Sequence, residues 1–166
     1  MTSRGRVQSG ATLVELVITI VIISVAIAGV VGAFALITGR SADPLNQTRA
    51  VELAQLYMDE ILTQRYDNQT PVGGMPPYSG SCNIGPESGE TRAGFDDVDD
   101  YHNLTDDPPA TLQGPVAGYT GFSVSVTVAC AGGQVGLASE DAKRIDLTIT
   151  APGGQDFAFS AYRANF

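Results

Sequence analysis

Residues 10–37 read GATLVELVITIVIISVAIAGVVGAFALI. Beyond Glu15, the run from Leu16 to Ile37 contains no charged residue. As a helix it is about 33 Å long, enough to cross a hydrocarbon core of about 30 Å. The ten residues ahead of it, MTSRGRVQSG, carry two charges, Arg4 and Arg6. Basic flanks stay in the cytoplasm, so the span is expected to run N-terminus in, C-terminus out. A secretory signal would have a shorter apolar core followed by an A-x-A-like cleavage site. Here the small residue beside polar ones is Gly10, ahead of the run. A cut at Gly10 leaves the apolar helix on the mature protein.

The heptapeptide Gly10-Ala11-Thr12-Leu13-Val14-Glu15-Leu16 resembles the class III signal of type IV prepilins and type II secretion pseudopilins. The resemblance implies that a prepilin peptidase cuts between Gly10 and Ala11 and methylates the amine of Ala11. Glu15 then becomes the fifth mature residue. Ala11 departs from the Phe or Met usual at that position. Glu15 also has a physical account of its own. A carboxylate inside a membrane helix costs about 2.5–3.5 kcal/mol at the centre and less near an end. It is offset by a partner, such as the Ala11 amine of a neighbouring subunit, and that pairing would set the stagger of packed helices. Placed in the first helical turn, it also complements the helix dipole by about 0.3–1 kcal/mol.

Composition narrows the function classes. The net charge is -9 and the leader before Ala11 contributes +2, so residues 11–166 carry -11. No basic patch offsets phosphate charge, and no nucleic-acid partner is expected. Lys143 is the only lysine and His102 the only histidine. There is no G-x-S-x-G, P-loop or H-E-x-x-H pattern, so neither an enzyme nor a cofactor is expected. Cys82 and Cys130 are the two cysteines. They would pair in an exported domain and stay free thiols in the cytosol; the span places them outside, and a bridge is expected.

The chain divides into a leader (1–10), a transmembrane or filament-core helix (11–38), an amphipathic stem (39–65), an irregular loop (66–118) and an antiparallel sheet (119–166). In the stem, Asp43 and Pro44 suit a helix start. Ala50, Leu53, Ala54, Tyr57 and Ile61 recur with helical spacing, widened by Val51, Met58 and Leu62. The loop is too long for an ordinary connection. Within it, Phe95, Val98, Tyr101 and Leu104 recur every three residues as anchors on the core, with the acids between them expected to face water. Asp96, Asp97, Asp99 and Asp100, with His102, Asp106 and Asp107 nearby, form the candidate calcium set. The EF-hand spacing is absent and one histidine makes a poor zinc site, so a solvated acidic loop without metal is the expectation. Beyond the loop, Phe122–Cys130, Lys143–Thr150 and Asp156–Tyr162 alternate with period two, separated by Gly132-Gly133 and Pro152-Gly153-Gly154. They predict an antiparallel meander with one face on the stem.

The predicted fold class is therefore α+β and pilin-like: a long N-terminal helix, then a C-terminal meander. Residues 50–62, the 95–102 segment and the ending Thr148–Gly154 with Phe159–Arg163 resemble, in order, the minor pilins of the mannose-sensitive haemagglutinin (MSHA) pilus. The resemblance implies a subunit that enters or primes a pilus. Its implied partners are the prepilin peptidase/methyltransferase, other pilin subunits, the inner-membrane assembly platform and the lipid bilayer. A type II secretion pseudopilin and a single-span anchor bearing a periplasmic binding domain are the alternatives.

Overall fold

A computed structural model describes residues 12–40 and 42–166. The leader, Gly10 and Ala11 lie outside the described residues. The chain forms two compact units, 1–44 and 45–166.

In the first unit, helix α1 spans Leu13–Arg40. From Leu13 to Phe34 its mean hydropathy is 2.8, and none of this stretch is buried within the chain. A helix that is apolar on every side needs cover from lipid or from other helices. Two of its hydroxyl side chains turn back onto the backbone. The Thr19 hydroxyl donates to the Glu15 carbonyl and the Ser24 hydroxyl to the Ile20 carbonyl, both at 2.7 Å. Neither hydroxyl is left without a partner in an apolar medium.

The second unit holds the core. Helix α2 spans Ala42–Leu62, with Pro44 in its first turn, where a missing N–H breaks no helical bond. The side chains of Ala50, Leu53, Ala54, Tyr57 and Ile61 are buried along one face. Against them lies a four-stranded antiparallel sheet in the order β1-β4-β5-β6. Strand β1 is Thr105–Asp106, β4 is Ser123–Cys130, β5 is Ala142–Ala151 and β6 is Gln155–Ala164. A small hairpin of β2 (Ala110–Thr111) and β3 (Gly114–Pro115) stands apart.

The register follows the alternation. Val124 pairs with Ile149, Val126 with Leu147 and Val128 with Ile145, all core-facing and almost fully buried. Each contributes roughly 1.5–3 kcal/mol by leaving water. The β5–β6 hairpin turns through Gly153 and Gly154, at φ 100° and 81°, a region other residues rarely enter. The architecture is α+β, a long apolar N-terminal helix followed by an antiparallel sheet, consistent with a type IV pilin-like fold.

The structure corrects two expectations, of an irregular loop and of solvated acids, and adds two details of the strands. The irregular loop contributes a strand, β1, which lengthens the sheet at the free edge of β4. Phe157 and Phe159 on β6 are only partly buried, because β6 is the outer strand. Lys143 is fully buried; it shares a face with Ile145 and Leu147 at the end of β5 that the loop covers. Finally, the acids of the 95–102 segment do not all face water. Asp97, Asp99 and Asp100 are 1%, 4% and 1% exposed, and only Asp96 reaches solvent substantially.

The loop is pinned by polar contacts that its composition does not announce. Arg92 pairs with Glu60 of α2 at 3.1 Å and with Asp106 of β1 at 2.7 Å, and donates to the Ala110 carbonyl. The Tyr57 hydroxyl donates to Asp106 at 2.6 Å and accepts the Ala110 N–H at 2.9 Å. Val98 and Tyr101 sit in the core, with Phe95 and Leu104 packed against it. At the far end, Asn165 holds Tyr78 through both the N–H and the carbonyl of that residue.

Candidate functional site

The sequence-derived site falls in three places. The first is the start of α1. Thr12 precedes the helix, and its hydroxyl oxygen accepts the backbone N–H of Glu15 at 3.3 Å. The Thr12 carbonyl accepts the first helical bond, from Leu16, at 3.2 Å. Thr12 is therefore the N-cap and Glu15 the third helical residue, the spacing of a capping box. The Thr-x-x-Glu pattern ahead of an apolar run is the sequence signal for this cap. The geometry fixes the Glu15 carboxylate in the first turn, at the positive end of the helix dipole. Around and beyond it, Leu13, Val14, Leu16 and Val17 are more than half exposed. An apolar helix exposed on all sides, with one acid at its capped entrance, needs cover from lipid or from other helices.

Residues 5–31 match the prokaryotic N-terminal methylation motif. That motif marks a type IV pilin or pseudopilin precursor, a structural subunit processed at its N-terminus and assembled with other pilins. The apolar helix within it fits a membrane-anchored pilin. Comparison with the curated proteins and with the solved structures gave no match.

The second place is the cysteine pair. Cys82 and Cys130 form a disulfide with an S–S distance of 2.05 Å. It fastens the loop to the end of β4.

The third is the acidic segment, whose four candidate aspartates go separate ways. Asp96 pairs with Arg65, the residue whose backbone carbonyl accepts the Val98 N–H at 3.1 Å. Asp99 pairs with the buried Lys143, whose ammonium also donates to the Tyr66 carbonyl at 2.6 Å and lies 3.8 Å from Asp67. Asp97 and Asp100 lock the backbone turn between them. Asp97 Oδ1 accepts the N–H groups of Asp99 and Asp100, and Asp100 Oδ2 accepts those of Asp96 and Asp97. Burial, then the charges of Asp99 and Asp100, push the Asp97 carboxyl above the usual carboxylate range. Burial also raises Asp100.

Two further carboxylates meet this pair. Single carboxylate oxygens of Glu87, Asp97 and Asp100 all lie within 4.8 Å of one another. Glu90 accepts the Glu87 N–H at 3.2 Å, and its carboxyl is raised chiefly by hydrogen bonding with Glu87, then by burial and by the Asp100 charge. No sequence signal pointed to Glu87 or Glu90, because the loop path rather than a spacing brings them in. Lys143 did have a signal: it falls on the same alternate positions as Ile145 and Leu147. His102 joins no cluster, since its Nδ1 accepts the Val128 N–H at 3.1 Å.

Proposed function

We propose that the chain is a minor pilin, similar to MshD of the MSHA pilus, that is incorporated into a type IV pilus or primes its assembly. The observation that carries this reading is the coincidence at one helix start of the methylation motif over residues 5–31, the capped acidic turn at Thr12–Glu15 and a wholly exposed apolar helix. In this reading the leader holds the precursor in the inner membrane, N-terminus inward. The peptidase cuts after Gly10, Ala11 is methylated, and Glu15 takes the Ala11 amine of a neighbour as the mature helix enters the filament. The adhesive pilus type rests on the resemblance of residues 50–55 with 58–62, 95–102, and 148–154 with 159–163. These supply the buried face of α2, the core-anchored turn and the β5–β6 hairpin.

Intact mass of the membrane-extracted protein is the test. Loss of residues 1–10 together with a gain of one methyl group is expected. A mature protein that retains Met1 or the leader overturns the reading in favour of a plain anchor. Glu15→Ala separates the roles at the helix start: filament entry should fail while cleavage after Gly10 continues. Co-purification with an adhesive pilus rather than with a secretion apparatus distinguishes the minor pilin from a pseudopilin.

A further inference from the structure

We propose that Glu87, Asp97 and Asp100 form a calcium site that fixes the 82–101 segment against the sheet. Three observations carry it, and none depends on the filament reading. The first is convergence. One carboxylate oxygen from each residue lies within 4.8 Å of the others, the separation of oxygens that share one ion at about 2.3–2.6 Å. Magnesium is seldom held by such an all-protein set of carboxylates, because it gives up its own waters reluctantly.

The second observation is an orphan. Asp100 is 1% exposed, and its Oδ1 is buried with no hydrogen-bond partner, while Oδ2 is held by the N–H groups of Asp96 and Asp97. A buried carboxylate oxygen without a donor is costly unless something positive meets it. Its side-chain neighbours at this corner are the carboxylates of Glu87 and Glu90, which accept and do not donate once ionised; the Asn68 side chain is engaged with Glu87 instead.

The third is the direction of the ion pairs. Among the described residues, Arg65 goes to Asp96 and Lys143 to Asp99 and Asp67, and no salt bridge reaches Glu87, Glu90, Asp97 or Asp100. The corner therefore gathers four acids with no side-chain cation in contact, the Lys143 charge reaching Asp97 only at longer range.

The donor set is all oxygen, which suits a hard cation rather than zinc or copper. His102 is turned away to the sheet. Asp97 and Asp100 are preorganised by the backbone bonds they accept. Glu87 is exposed and gives the ion its route from water. Glu90, bonded to the Glu87 N–H, is placed to add a fourth carboxylate, and waters complete the shell on the open side.

The test uses the full chain in detergent, stripped with EGTA and titrated with calcium chloride or magnesium chloride. Calorimetry should give a calcium Kd of about 10⁻⁴–10⁻³ M, the range of extracellular calcium modules. At about 5 mM calcium the melting temperature should rise by roughly 3–10 °C, with a smaller rise in magnesium. The Asp100→Asn substitution keeps an oxygen for the two N–H groups and puts an amide donor where the orphan stands. In EGTA it should melt no lower than the unsubstituted chain, and it should lose the calcium shift. Glu87→Gln alters only an exposed side chain, so it folds regardless, and it should weaken calcium binding at least tenfold. Absence of any calcium heat or melting shift in the unsubstituted chain overturns the site, and leaves a shared proton as what bridges the carboxylates. A calcium shift that survives unchanged in both variants overturns it equally.

Discussion

Lys143 ties the loop to the sheet through a buried charge. It is fully buried, its ammonium pairs with Asp99 and donates to the Tyr66 carbonyl, and it lies 4.6 Å from the centre of the Tyr66 ring. Removing one member of a buried pair strands the other, at a cost of about 3–5 kcal/mol. Lys143→Met should lower the stability of the chain by about that amount in a thermal or denaturant melt, and adding Asp99→Asn should recover part of the loss. A double-variant loss equal to the sum of the two single-variant losses would show that the pair is not coupled. The tyrosines make a second prediction at this scale. Burial, with the Asp106 hydrogen bond at Tyr57 and nearby carboxylates at Tyr66 and Tyr101, raises all three hydroxyls above the ordinary value of 10.0. In the unfolded chain they ionise near that ordinary value. The folded state therefore holds more protons than the unfolded one above about pH 10, and stability is full below that pH and falls as pH rises beyond it. Absorbance titration should find these three of the six tyrosines silent until the chain unfolds, then ionising together. A smooth titration of all six ahead of unfolding would refute this.

The 66–118 loop is the element on which sequence and structure differ most. Local patterns were sufficient for α2 and the strands, because Ala50, Leu53, Ala54, Tyr57 and Ile61, or Val124, Val126 and Val128, state their own burial through period. The anchors Val98 and Tyr101 were legible for the same reason. The acids between them were misread as solvated because their partners are remote. Asp99 meets Lys143 from 44 residues away, and Arg92 meets Glu60 from 32. A contact made by loop closure leaves no periodic trace. The disulfide is the covalent form of the same device, joining residues 48 apart. The chain-entropy model gives roughly 4 kcal/mol for a loop of this length, as an upper-end figure. Cys82→Ser with Cys130→Ser should therefore lower stability by up to about 4 kcal/mol and expose the 66–118 segment to limited proteolysis before the sheet is cut. Unchanged proteolysis and melting would mean that Arg92, Lys143 and Asn165 hold the loop unaided.

The two units of the chain bury their apolar surface by different means. Every residue of the hydrophobic core, from Ala50 to Ala151, belongs to the 45–166 unit. Leu13–Phe34 contributes nothing to it and has no burial of its own. The globular unit therefore builds its own hydrophobic core and carries its own disulfide, whereas the helix must find lipid or neighbours. This division accounts for what the sequence made plain and what it did not. The helix and its motif were legible because a continuous apolar run and a short signal state themselves locally. The corner of Glu87, Asp97 and Asp100 was not, because it exists only once the sheet has closed over the loop. It also predicts the behaviour of the separated part. A chain beginning at Leu45 should be soluble without detergent and monomeric, with the Cys82–Cys130 bridge formed. It should unfold in one cooperative step with an enthalpy of about 85 kcal/mol at the midpoint, as expected for a two-state unit of this size. Such a fragment should also be excluded from filaments, since it lacks the helix that packs. A broad, non-cooperative melt would mean that the first 44 residues are needed for folding and not only for assembly.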